Sequence, residues 1–254
     1  MRRILSIFVI VVLGPSVAAA EERVEATYEV LWGGLEIGRF DATMSVDDVD
    51  YRLAYQARTT GFLGWVFPFV SAGTSVGVLE GAAPAPVRFV GESRRRDGLN
   101  SWAVEFTPSG RAAEVMVETA VDEQRDPVPE ALRRAPDPLA LALEATSRAA
   151  PGAAWTGTSF DGKRAVRFEL VCDGAERPIE LNIASQPLER ALGCTLDGGV
   201  EAGRSKRWSD GRDEARRPAR VLVSRELVPG RYWPVRVEAS TRFGTVIARL
   251  IELR

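Results

Sequence analysis

Nucleophilic and acid–base chemistry near neutral pH needs a tuned base, and this chain has a narrow supply: it contains no histidine and two cysteines, Cys172 and Cys194. Without His, the Ser-His-Asp and Cys-His pairings that activate a nucleophile cannot form. Two Cys with no His also fall short of a structural zinc site. A Ser-Lys pair around Phe160-Asp161-Gly162-Lys163 would be one substitute, but a turn alone accounts for the Asp-Gly dipeptide. Asp47, Asp48 and Asp50 offer oxygen ligands without the spacing or the final Glu of a calcium loop. Other carboxylates alternate with Arg along strand-like segments, as solvated faces do, and no two stand out as an acid/base pair. These residues point to a protein that is not an enzyme, with no cofactor and no metal.

The cysteines have a simpler reading. Arg2 and Arg3, the apolar run Ile4 to Leu13 and the small residues Ala18-Ala19-Ala20 form a Sec-type signal peptide over 1–20, cleaved near Ala20. The apolar run is shorter than the roughly 20 residues of a spanning helix, and no later stretch is long enough, so no transmembrane span is expected in the mature chain. In the oxidising compartment to which such a leader directs the chain, a pair of cysteines in strand-like segments (VRFELVC and LERALGC) is expected to form a disulfide. The Cα atoms are expected roughly 4.4–6.8 Å apart.

The elements that position these residues are mostly strands. Removal of the leader leaves about 230 residues, enough for a single β-rich domain over 21–254. A formal net charge of −2 argues against nucleic acid as a partner. Period-two alternation recurs from ATYEVLW to GTVIARLIEL, with hairpin turns expected at Gly33-Gly34 and Asp97-Gly98, the latter with Gly98 at positive φ. One helix is predicted in DPLALALEATSRAAPG, capped by Asp137 with Pro138 in its first turn. The polar stretch at about 199–216 reads as a long surface loop inserted between strands.

Residues 61–70, GFLGWVFPFV, concentrate apolar side chains where a connection between two strands is expected, and Pro68 with Gly61 and Gly64 favours a short helix or folded crossover. Two readings remain open. The rings close the core, or Phe62, Trp65, Phe67 and Phe69 form the mouth of a cavity for a lipophilic ligand, where exposed rings could also touch a membrane or partner. Arg94, Arg95 and Arg96 form a basic tip that could meet lipid headgroups or anionic polymers, or simply face water.

The segments YEVLWGGLEIGRFDATMSVDDVDYRLAYQARTTGFLGW, FDGKRAVRFEL, the Cys194 segment and YWPVRVEASTRFGTVIARL together resemble the family of periplasmic domains of unknown function numbered 3108. The resemblance spans nearly the whole mature chain and carries over no catalytic residue. It implies an all-β, mainly antiparallel fold: an open or incompletely closed barrel, a curved sheet covered by one or two short helices. It also implies a Gram-negative envelope setting and an outline similar to lipoprotein carriers, with the 199–216 insert as a departure. The expectation is an exported, non-enzymatic periplasmic protein that supports the cell envelope and binds or carries a lipophilic small molecule. The alternative is a structural module that docks an envelope protein, and a His-free hydrolase ranks last.

Overall fold

The computed structural model describes residues 22–254 apart from 82, 108–109, 111, 120–124, 184–185, 206–217 and 242–243. The expected leader at 1–20 and positions 206–216 of the expected insert lie outside the described residues.

Alternation of apolar and polar side chains gives each strand one face for a core and one for water. Seven strands follow one another as antiparallel neighbours: β1 (Glu22–Trp32), β2 (Leu35–Val46), β3 (Asp50–Thr59), β4 (Phe69–Glu80), β5 (Ala83–Arg95), β6 (Gly98–Phe106) and β7 (Ala112–Thr119). The second half supplies β8 (Ala154–Phe160), β9 (Ala165–Cys172), β10 (Arg177–Ile183), β11 (Gln186–Ala202), β12 (Ala219–Val228), β13 (Arg231–Thr241) and β14 (Gly244–Leu253). Pairing of β1 with β14 joins the halves into one 14-stranded sheet, ordered β7-β6-β5-β4-β3-β2-β1-β14-β13-β12-β11-β9-β8, with β10 hydrogen-bonded to β11 beside that path. Among the described residues β7 and β8 are edges that do not pair with each other, so the curved sheet is a barrel left open along one seam.

Two helices complete the fold. α1 (Gly61–Val66) bridges β3 and β4, as the glycines and Pro68 of that segment require. α2 (Pro138–Arg148) lies inside the curve of the sheet and packs against β3, β4, β5, β8 and β13. Its Asp137 cap accepts from the backbone N–H groups of Leu139 and Ala140 at 2.9 and 3.1 Å, which satisfies donors that a helix start otherwise leaves open. Ala140 and Leu143 of α2 join Tyr28, Met44, Leu53, Trp233 and Leu250 in the main core. The antiparallel order places the β1–β2 turn, α1, the β5–β6 turn and the β8–β9 turn at one end, here the rim, and the β2–β3 and β12–β13 turns at the other, the floor. Near the floor, Arg231 donates to Ser147 at the end of α2 and lies 4.0 Å from Glu22.

Two expectations about the strand connections need correction. The insert does not begin at 199, because β11 runs on to Ala202 and pairs Val200 with Val166 of β9. Ser205 forms a further bridge with Arg125. Asp97-Gly98 is not the two-residue tip: Arg96 and Asp97 fill the turn, while Gly98, at φ 139°, already faces Arg95 as the first residue of β6. The reading of Gly33-Gly34 holds, with φ values of 59° and 85°.

Cys172 and Cys194 are bonded, and they sit directly opposite each other in the β9–β11 register. That cross-strand placement brings their Cα atoms to 3.9 Å, closer than expected. Both side chains are buried among Leu170, Leu192, Val221 and Val223, so the bridge ties β9 to β11 where β10 gives way to β9 as the partner of β11. Changing both cysteines to Ala is expected to lower unfolding free energy by about 3 kcal/mol, by release of the loop constraint. Denaturant melts of the oxidised parent and the double variant measure it, and thiol labelling of the denatured, unreduced parent is expected to find no free thiol.

Candidate ligand cleft and rim

α2 does not fill the barrel. On one side of it a cavity of about 400 Å³ is bounded by Tyr28, Phe40, Met44, Tyr55, Leu143 and Trp233. On the other side a cavity of about 280 Å³ is bounded by Leu141, Trp155, Phe168, Leu196 and Val221, next to the disulfide cluster. Ala142, Thr146, Pro234 and Val237 border both, so the two spaces meet along one flank of the helix. The sequence produces this room in a specific way. Alanines occupy positions where larger residues would meet the sheet: Ala142 on the helix, Ala42 on β2 and Ala248 on β14. Phe40 holds the wall open between Tyr28, edge-on at 5.9 Å, and Tyr55, stacked at 5.8 Å.

A third space, of about 460 Å³ and more polar, lies toward the rim. It shares Phe40, Tyr55 and Leu139 with the first cavity, so the apolar cleft continues into a polar mouth. Basic side chains border this mouth from separate segments: Arg95 from β5, Arg125 from the bridge to Ser205, and Lys163 and Arg164 from the β8–β9 turn. The Arg95 guanidinium lies 5.6 Å from the centre of the Phe69 ring, and Lys163 Nζ lies 4.8 Å from that of Trp102, both within reach of a cation–π contact. Gly91 makes way for Trp102, since a Cβ there would lie 2.5 Å from the indole. Asp161 accepts from the backbone of Lys163 and Arg164 and from Arg164 Nε. The FDGK segment is thus a hydrogen-bonded turn that presents Lys163 to the mouth.

Of the four aromatic residues singled out in sequence, only Phe69 borders the mouth. Phe62 and Trp65, 78% exposed, and Phe67, 65% exposed, project from the rim, and α1 buries none of its residues. The core-closing reading of these rings therefore fails. Phe62 and Trp65 lie one helical turn apart with ring centres 6.1 Å from each other. Leu35, exposed on the neighbouring β1–β2 hairpin, extends the apolar rim. The basic tip adjoins it, because Arg94 and Arg95 pair with Val70 and Phe69 across the β4–β5 ladder. Arg95 borders the mouth, whereas Arg94 and Arg96 face solvent.

Sequence reasoning missed the cleft itself and the position of Asp137. That carboxyl is fully buried and accepts from Ser75 Oγ at 2.7 Å, with Tyr51 Oη 3.4 Å from the same hydroxyl. Burial pushes its pKa up to about 6, against the hydrogen bonds from Ser75, Ala140 and Leu139 that favour the ionised form. A signal for the cleft existed in the shared inward parity of Phe40, Ala42 and Met44 on β2 opposite Tyr55, Leu53 and Ala57 on β3, but the helix seat depends on contacts remote in sequence.

With an open antiparallel barrel around one internal helix, the molecule falls in the class of barrel-like β proteins. The chain belongs to the family of proteins of unknown function DUF3108, whose family model matches residues 27–251. Its fold is similar to the crystal structure of a beta-barrel-like protein of domain of unknown function DUF1849 from Brucella abortus, with a TM-score of 0.57 and 12% identity, over 93% of this chain and 99% of that one. No curated protein matches the chain.

The raised pKa of Asp137 sets a pH dependence. Between the unfolded value near 4 and the folded value of about 6 the native state holds a proton that the unfolded state has released, so stability falls as pH rises through that window. The contribution is fully present below about pH 4 and its loss is complete above about pH 6, for a total of about 3 kcal/mol. Asp137→Asn, which keeps a capping oxygen, is expected to remove this component. Chemical denaturation of parent and variant across the window measures it.

Proposed function

We propose that this protein is an exported, non-enzymatic component of the cell envelope that binds and carries a lipophilic molecule, held as a hydrocarbon chain in the cleft beside α2. The observation that carries the reading is the pair of joined apolar cavities, about 400 and 280 Å³, bordered almost wholly by carbon and bent around one helix flank. Their size and lining suit a small-molecule site, which is typically a concave apolar space of roughly 300–1,000 Å³. Export is supported by Arg2, Arg3, Ile4 to Leu13 and Ala18-Ala19-Ala20, and the Cys172–Cys194 bridge fits an oxidising compartment such as the periplasm.

The rim suits delivery from a membrane. Phe62, Trp65 and Phe67 project beside Arg94 and Arg96, a combination that places rings at the level of lipid headgroups and guanidinium groups against anionic phosphates. Residues that touch a lipid surface transiently stay exposed in the free protein, as these do.

A fluorescent fatty-acid titration tests the binding site. The parent is expected to bind the probe, and Ala142→Trp, which places an indole where the cavities meet, is expected to weaken binding by about tenfold or more while the fold persists by circular dichroism. Absence of binding by the parent, or equal binding by the filled variant, would refute the carrier reading. For the rim, the combined change Phe62→Ser, Trp65→Ser and Phe67→Ser is expected to abolish co-flotation with phosphatidylglycerol vesicles and to leave probe binding and the thermal melt close to the parent's.

A further inference from the structure

The apolar interior is partitioned by one line of contact. Ala142 and Thr146, one turn apart on α2, and Pro234 and Val237 of β13 border both apolar cavities. To one side of that line Leu139 and Leu143 border only the larger cavity of these two, and to the other Leu141 and Ala145 border only the smaller. At about 3.6 residues per turn these are adjacent faces of one helix. The two spaces therefore run side by side along the axis and do not follow one another end to end. At a rise of about 1.5 Å per residue the larger accompanies α2 for about 10 Å, from Leu139 to Thr146, and the smaller for about 16 Å, from Pro138 to Ala149. Both also reach the mouth at the start of the helix, which shares Phe40, Tyr55 and Leu139 with the larger cavity and Pro138 with the smaller. The Thr146 hydroxyl donates to the Leu143 carbonyl at 2.7 Å, so the polar side chain on the dividing line has its donor engaged within the helix.

From this arrangement we propose that the ligand is a two-chain lipid, with one hydrocarbon chain in each cavity, the Ala142–Thr146 line between them, and their junction at the mouth. The assignment rests on the carrier reading and adds the number of chains. A single chain that entered at the mouth could occupy one cavity only, or would have to double back across Ala142 and Thr146 to enter the other. Two chains that diverge from one backbone meet the geometry without a reversal: one passes Phe40 and Tyr55, the other passes Pro138. Filling both spaces also matters energetically, because the lining of an empty apolar void has no partner atoms on that side and forfeits their contact. The second chain adds buried apolar area in proportion to its length. Discrimination between lipids of one and two chains is thus a property of the partition, independent of the head that joins the chains.

The test displaces cis-parinaric acid from the purified protein with two lipids that share a head: dioctanoyl phosphatidylglycerol and octanoyl lysophosphatidylglycerol. The diacyl lipid is expected to compete at least about tenfold better than the lyso form. Native mass spectrometry is expected to count one diacyl lipid per protein and up to two of the lyso lipid. Two variants address the cavities separately. Ala145→Phe places a ring in the smaller and Ala248→Phe in the larger, and each is expected to weaken the diacyl lipid about tenfold or more and to lower the lyso count from two to one, with the fold checked by circular dichroism. A diacyl lipid that competes no better than its lyso form with the parent overturns the two-chain assignment and leaves the carrier reading standing, and this comparison needs no variant. Diacyl competition that stays at the parent's level in either folded variant overturns it as well. If the parent binds neither parinaric acid nor either phospholipid, the carrier reading itself fails and this inference with it.

Discussion

The interior of the molecule depends on the seat of α2, and the seat depends on one carboxylate. Asp137 caps its own helix through Leu139 and Ala140 and reaches across to Ser75 of β4, so a single side chain fixes both the start of the helix and its position against the wall. An isolated helix of this length has little stability of its own in water. Its alanine-rich flank gives it less apolar grip than a leucine face would, and that same flank leaves the space on either side. Helix attachment and cavity are therefore two results of one choice of residues: a strong polar anchor at the end permits a thin side.

Closure of the rest is governed by chain ends that meet. β1 pairs with β14, and Glu25 and Arg254 exchange backbone hydrogen bonds at 2.9 Å in both directions. This long-range contact turns two successive meanders into one sheet. Local contacts build each meander, and the disulfide reinforces the second one where β11 changes partners between β10 and β9.

What could be read in the residues was whatever obeys a local rule. The Gly33-Gly34 turn, the capped helix after Asp137, the short helix in GFLGW and the cysteine pairing each follow from a few neighbouring side chains. Legibility fails where distant strands decide. Gly198 and Gly199 suggested a loop, yet β11 runs through them because Phe168 of β9 lies over Gly198, where a Cβ would come within 3.0 Å of the ring. The Arg96–Asp97 turn slipped by one residue because the β5–β6 register pairs Arg95 with Gly98. Phe62, Trp65 and Phe67 carry a hydrophobicity that argues for burial, and nothing nearby in the sequence reveals that α1 sits on a rim with no layer above it. The cleft was hidden for a related reason, since it arises where alanines from α2, β2 and β14 happen to face one another.

The unpaired seam between β7 and β8 has a mechanical meaning. In a closed barrel, strand number and stagger together set the diameter, and the bore cannot change unless ladder hydrogen bonds break. Among the described residues this sheet has two margins that no ladder joins, so its girth is not set by a ring of backbone hydrogen bonds. The margins can spread or draw together as the sheet coils more or less tightly, with every strand still paired to its neighbours. What holds the margins is side-chain packing across the seam, where Phe160 of β8 and Ala165 of β9 share one buried cluster with Phe89, Val104 and Phe106 of β5 and β6, together with α2, which packs against β5, β8 and β13. The helix is thus a crossbar as well as a filler.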